Sequence, residues 1–216
     1  MSYCLGMRLD EGLIFISDSR TNAGIDSVAI FRKTFIFDDA EDRVIVLLSA
    51  GNLAITQAVI TLLTERLAET DTGRSLYAAP SMFEVARVVG GVLREVRDQD
   101  GEALAAQGVE FAASFILGGQ IRGEPTRLFH IYSAGNFIEA SRETPYFQIG
   151  ETKYGRPIIV RSYDPAMSFE DAVKLLCVSF DSTIRANAGV DLPIDLKVHE
   201  RDDFHGVHER RFERDD

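Results

Sequence analysis

The chain has 216 residues, is 45% hydrophobic and 26% charged, and sets 23 Lys+Arg against 34 Asp+Glu for a formal net charge of −11. That length suits one domain or a tight two-layer pair with a sizeable core. The acidic balance argues against nucleic acid or an anionic membrane surface as the main partner.

Two cysteines, Cys4 and Cys177, make no disulfide framework, which fits a reducing compartment. No apolar run approaches the roughly 20 residues of a membrane span. The N-terminus has no basic region followed by an apolar stretch, so it does not read as a secretory signal. A cytoplasmic protein with no membrane partner is expected.

Met1-Ser2 opens the chain. A small second residue favours removal of the initiator Met, and Ser2 would then carry a hydroxyl and a free α-amine together. These are a nucleophile and a base, because an α-amine titrates at about 7.7–8.0. Tyr3, Leu5, Met7 and Leu9 alternate with Cys4, Gly6 and Arg8, which predicts a strand from Tyr3 to Leu9 with the first four on one face and the other three on the opposite face. Asp10-Glu11-Gly12 is a turn and Leu13 to Ser17 a second strand, so Ser2 is expected at the edge of a hairpin sheet. Cys4, inside the first strand, reads as packing.

Ser17-Asp18-Ser19-Arg20-Thr21-Asn22-Ala23-Gly24 is small and polar after an apolar strand. Asp18 falls at the strand end, either as a turn former or as a site carboxylate. Lys33 lies in a strand-like run between Ile30-Phe31 and Phe35-Ile36-Phe37. A lysine there snorkels to solvent or is held by a carboxylate.

Val44 to Leu48 is unbroken apolar sequence, a strand buried on both faces. It runs into Ser49-Ala50-Gly51-Asn52 and a helix from about Leu53 to Ala68 carrying Leu53, Ala54, Ala58, Leu62 and Leu63. A strand–Gly–helix junction offers N–H groups at a positive helix end, suited to an oxyanion. Ser81 with Glu84 forms a capping box for a second helix, whose stripe is Val85, Val88, Val89, Val92 and Val96. Strands are predicted at 111–117, 127–132, 137–139 and 146–149, a helix capped by Ser168 through about Ala186, and a late strand at 192–198. Strand groups separated by paired helices suit a two-sheet core with helices outside, not a parallel winding. His130 reads as a satisfied core histidine. His199, His205 and His208 read as part of a solvated or interface tail rather than a metal site.

These segments together resemble the proteasome β-subunit family of N-terminal nucleophile hydrolases, and within it the bacterial branch called Anbu. The likeness rests on residues 1–12, 17–24, Leu47 to Asn52, 147–155 and Leu192 to Leu196. It extends to about Asp203, leaving 204–216 as a charged C-terminal tail. The resemblance implies an α+β fold, a four-layer αββα sandwich, in a homo-oligomer built as a closed ring or an open spiral. It implies a threonine-type peptidase or amidohydrolase acting on peptide or isopeptide bonds, with no metal or cofactor. Ser2 would be the nucleophile in place of threonine, its amine accepting the proton directly or through a water. Asp18 and Lys33 would stand beside the hydroxyl, Gly51 would form the oxyanion hole, and Thr21 and Ser49 would line a roomy substrate pocket. Two positions depart from the pattern. Glu151 stands at the family's supporting serine, and Arg185 and Gly189 stand roughly where a later Asp and Ser belong. Asp181, Ser182 or Thr183 are candidates to compensate. The alternatives are a catalytically quiet scaffold subunit and a small-molecule amidase on the same fold.

Overall fold

The computed structural model describes residues 2–22 and 28–214. Met1, and with it the expected processing, lies outside the described residues, as do 23–27 and the last two residues of the tail.

Two five-stranded antiparallel sheets make the centre of this mixed α/β chain. The first runs in the order β10 (Tyr146–Gly150), β1 (Tyr3–Leu9), β2 (Gly12–Asp18), β11 (Ile194–Glu200), β12 (His208–Phe212). The second runs β5 (Thr34–Phe37), β6 (Arg43–Gly51), β7 (Ala113–Ile121), β8 (Arg127–Ile131), β9 (Phe137–Glu139). A small ribbon of β3 (Arg20–Asn22) and β4 (Val28–Ile30) follows β2.

Period-two alternation sorts each strand's side chains between two surroundings. Tyr3, Leu5, Met7 and Leu9 of β1 pack with α3 (Arg156–Ser162) and α4 (Phe169–Ala186) through Ile159, Leu176 and Phe180. Cys4, from the opposite face, joins Phe15, Val44, Val46, Leu48 and Ile116 in the cluster between the sheets. Ile45 and Leu47 of β6 turn the other way, toward α1 (Leu53–Glu65) and α2 (Met82–Ala106). Val44 to Leu48 is therefore buried on both faces, as its unbroken apolar run predicts. Among the described residues no helix is long and apolar enough to cross a membrane.

Both predicted N-caps form. Ser81 Oγ accepts from the Glu84 N–H at 3.2 Å, and Ser168 Oγ accepts from the Asp171 N–H at 3.2 Å. The α1 stripe differs: Ile55, Thr56, Val59 and Leu63 are buried, whereas Ala54 is exposed. Asn52 caps this helix by accepting from the Ala54 N–H. The buried face of α1 is thus shifted by about one residue from the predicted stripe.

Three further differences matter. Helix α3 begins with Arg156-Pro157 after β10, where no helix is expected from the sequence; seven residues are too few to show a period. His199 lies in β11 with none of its surface exposed, rather than in a tail. Residues 208–212 form β12, paired along β11 from Ile194↔Phe212 to Val198↔His208. An exposed edge strand rich in charge carries no apolar alternation, so it reads as a tail until its partners are placed.

Candidate active site

The polar residues at 17–21 span the end of β2, and Asp18 is the last residue of that strand. It is fully buried. A buried carboxylate needs hydrogen-bond donors, and Asp18 Oδ1 has two: the Tyr3 N–H at 2.9 Å and Lys33 Nζ at 2.7 Å. Asp18 Oδ2 is buried with no partner among the described residues. Burial pushes the Asp18 carboxyl up, opposed by the charge and bond of Lys33 and by the Tyr3 N–H.

Lys33 is not on a strand. It sits in the three-residue link between β4 and β5, and its carbonyl accepts from the Ser49 N–H at 2.8 Å. The apolar residues on either side resemble one strand in the sequence but belong to two. The ammonium is buried and also donates to the Arg20 carbonyl at 2.6 Å. Lys33 thereby links the end of β2, the start of β3 and the end of β6.

Gly51 ends β6 at φ +122°, and a Cβ there would lie 2.3 Å from the Ala112 carbonyl oxygen. Only glycine fits this junction. Ser2, Thr21, Lys33, Ser49 and Gly51 all line one cavity of about 370 Å³, together with Arg32, which the sequence reading did not single out. The six expected site residues are thus brought together: five of them share the cavity, and Asp18 sits directly behind Lys33.

Ser2 is positioned through its own backbone. Its carbonyl accepts from the Glu151 N–H at 2.6 Å, and Gly150 stands at φ +82° with no room for a Cβ, which would lie 2.0 Å from that carbonyl. Tyr3, next along the chain, bonds through its hydroxyl to Ser179 at 2.8 Å and to the Gln148 side chain. The departures from the family pattern also fall into place. Glu151 Oε2 accepts from Asn187 Nδ2 at 2.9 Å, while Arg185 instead pairs with the exposed Asp181. Ser182 reaches the Tyr154 carbonyl at 3.4 Å and Thr183 the Ser179 carbonyl at 2.9 Å, so neither bonds to Ser2. Asn187 was missed; an Asn two residues before a Gly at a helix end is its sequence signal.

Burial pushes the Cys4 thiol well up, and its sulfur faces the Ser49 carbonyl at 3.4 Å, which suits packing and not nucleophilic attack. His130 packs on Tyr132 and Phe147, with Nε2 buried and unpartnered among the described residues. It is half-buried on the rim of a cavity rather than a core histidine, and Nε2 is not satisfied.

Solved structures share this arrangement of chain. Anbu from Hyphomicrobium sp. strain MC1 (a Gly-1 mutant) is 48% identical, with a TM-score of 0.92, over 100% of this chain and 89% of that one. The chain belongs to the Anbu family, the proteasome-like ancestral β-subunits. Anbu (ancestral beta-subunit) from Yersinia bercovieri is 45% identical, with a TM-score of 0.91, over 99% of this chain and 88% of that one. A structure described as the helical assembly of the Anbu complex from Pseudomonas aeruginosa is 45% identical, with a TM-score of 0.93, over the same shares. No family model and no curated protein matches the chain.

Proposed function

We propose that this Anbu chain is a self-assembling amidohydrolase of the N-terminal nucleophile type, with a four-layer αββα sandwich and Ser2 as nucleophile on peptide or isopeptide bonds. The observation that carries the proposal is the buried Lys33 ammonium, held 2.7 Å from Asp18 Oδ1 on the cavity that Ser2 and Gly51 also line.

With Met1 removed, the Ser2 amine accepts the hydroxyl proton as Oγ attacks the substrate carbonyl carbon. Lys33 lowers the energy of the developing alkoxide, and Asp18 keeps the ammonium charged and aimed. The carbonyl's electron pair moves onto its oxygen, which the Gly51 end of β6 receives. Collapse breaks the C–N bond, and the Ser2 ammonium returns a proton to the leaving amine. Water then attacks the Ser2 ester by the same route, releasing the acid and restoring the hydroxyl. Thr21 and Ser49 line the substrate side, and the small Ser49 leaves a roomy pocket. Copies would assemble as an open spiral or ring, by analogy with the helical Pseudomonas assembly, and act on peptide or protein substrates in the cytoplasm.

Intact mass of the native protein, before and after treatment with a peptide β-lactone, tests this reading. The expected result is loss of Met1 and a single acyl adduct that Ser2→Ala and Lys33→Ala abolish. Equal turnover of short amides by all three proteins would sink the assignment. Retained Met1 with no adduct would instead favour a scaffold subunit, and a selective small amide with inert peptides would favour an amidase.

A further inference from the structure

The peptide group between Ser2 and Tyr3 is hydrogen-bonded at both polar atoms. Its N–H donates to Asp18 Oδ1 at 2.9 Å and its carbonyl accepts from the Glu151 N–H at 2.6 Å. A planar peptide held from both sides cannot turn, so the Cα–C bond of Ser2, about which its nitrogen and Oγ are presented, is fixed in place. Asp18 belongs to the cluster already described. Glu151 comes from the corner between β10 and α3, far from it in sequence.

That corner is itself anchored. Glu151 Oε1 accepts from the Lys153 N–H at 3.3 Å, and Oε2 accepts from Asn187 Nδ2 at 2.9 Å. Asn187 caps the C-terminus of α4, and its Oδ1 accepts from the Gly189 N–H at 2.8 Å. The Gly189 bond fixes which way the amide faces: oxygen toward Gly189, NH2 toward Glu151. The carboxylate therefore ties the β10–α3 corner to the end of α4, 36 residues away.

We propose that Glu151 and Asn187 form a positioning pair for Ser2, at the corner where the proteasome pattern has a serine. Glu151 acts through its backbone N–H on the Ser2 carbonyl, and its side chain, oriented by Asn187, keeps that N–H aimed. Thr21, Ser49 and Gly51 come from other elements, so losing the pair displaces the nucleophile and leaves the substrate pocket as it was. The catalytic consequence rests on Ser2 being the nucleophile; the positioning itself does not.

The pair can be reversed. Asn187→Asp sets two carboxylates against each other. Adding Glu151→Gln restores a donor–acceptor contact of opposite sense: the introduced amide donates to the introduced carboxylate, which still accepts from Gly189. In the full-length assembled protein, Asn187→Asp should speed amide hydrogen exchange at Glu151 by about tenfold, and the double variant should return it to near the parent rate. The maximal rate of acylation by a peptide β-lactone should fall about tenfold in Asn187→Asp, with apparent affinity unchanged, and recover in the double. If Asn187→Asp does not fold, Asn187→Ala removes the contact without adding charge and is read the same way. Exchange unchanged in the single variant, or not recovered in a folded double, overturns the pair. Labelling that survives Ser2→Ala overturns the proposed nucleophile instead, and the exchange result still decides the pair.

Discussion

Lys33 Nζ lies 2.7 Å from Asp18 Oδ1, and both side chains are almost wholly buried. An ammonium has three N–H groups. One is bonded to Asp18 and one to the Arg20 carbonyl, so the third has no partner among the described residues and remains for the cavity that Lys33 shares with Ser2. Asp18 Oδ2 is likewise unpartnered. A buried pair with spare valence on both sides is a poor device for stability alone, since two well-packed apolar side chains would hold the fold as well.

Removing one member should be costly. Lys33→Met leaves the Asp18 carboxylate buried and uncompensated, and is expected to destabilise by about 3–5 kcal/mol in urea unfolding. Adding Asp18→Leu should recover part of that loss, because it removes the uncompensated charge but leaves the buried Tyr3 N–H unpaired, while leaving the protein unable to acylate. A double variant no more stable than the single one would show that the pair is needed for folding itself.

Gly150 is the second place where the site admits one solution. A Cβ at φ +82° would meet the Ser2 carbonyl at 2.0 Å, and that atom is backbone, held by the Glu151 N–H. Gly150→Ala must therefore push the start of β1 aside. We expect a loss of at least about 2 kcal/mol from the left-handed backbone and the clash together. We also expect a fall in β-lactone labelling larger than the change in pocket affinity. Unchanged labelling would mean that Ser2 tolerates displacement and that its orientation is not critical.

Much of this was legible in the residues. The period-two faces of β1, the apolar run of β6 and the caps at Ser81 and Ser168 are local signals, and local physics decides them. The gathering of Ser2, Asp18, Lys33 and Gly51 was legible through likeness to a family, since no spacing rule brings positions 2, 18, 33 and 51 together. The Glu151–Asn187 contact was not legible, because a hydrogen bond across 36 residues leaves no periodic trace. His199 and β12 were misread for one reason: each depends on a long-range partner. His199 is buried because β11 lies against β2 with His199↔Leu13 in register, and residues 208–212 become a strand because Asp195 and Lys197 of β11 accept them.

His199 gives a pH-dependent prediction. Both ring nitrogens are buried and have no partner among the described residues, and Phe204 packs against the ring. Burial lowers its titration from 6.5 to about 4, opposed in part by the Asp203 and Asp202 carboxylates. The unfolded chain therefore binds a proton that the folded chain refuses between those values. Stability is complete above about pH 6.5 and is lost as pH falls toward 4, by roughly 3 kcal/mol at the limit. Urea midpoints measured from pH 7.5 to 4.5 should show this slope, and His199→Leu should flatten it. An identical slope in the variant would assign the acid sensitivity to other groups.

The C-terminal strand can be tested by removal. Lys197 is buried with Glu209 of β12 as its partner. Asp195 is buried against Arg211 at 3.1 Å. Beyond the strand, Arg214 reaches Asp191 at 2.9 Å, the carboxylate that also pairs with Arg20 next to the site. Deleting residues 204–216 would leave a buried cation and a buried anion without these partners and expose the β11 edge. We expect a loss of more than about 2 kcal/mol and a lower thermal midpoint, together with aggregation through the bared edge. Arg211→Ala alone should give a smaller loss, because it removes one partner and leaves the ladder intact. A deletion that unfolds like the parent would mean that residues 204–216 are a dispensable tail after all, with β12 adding no net stability to β11.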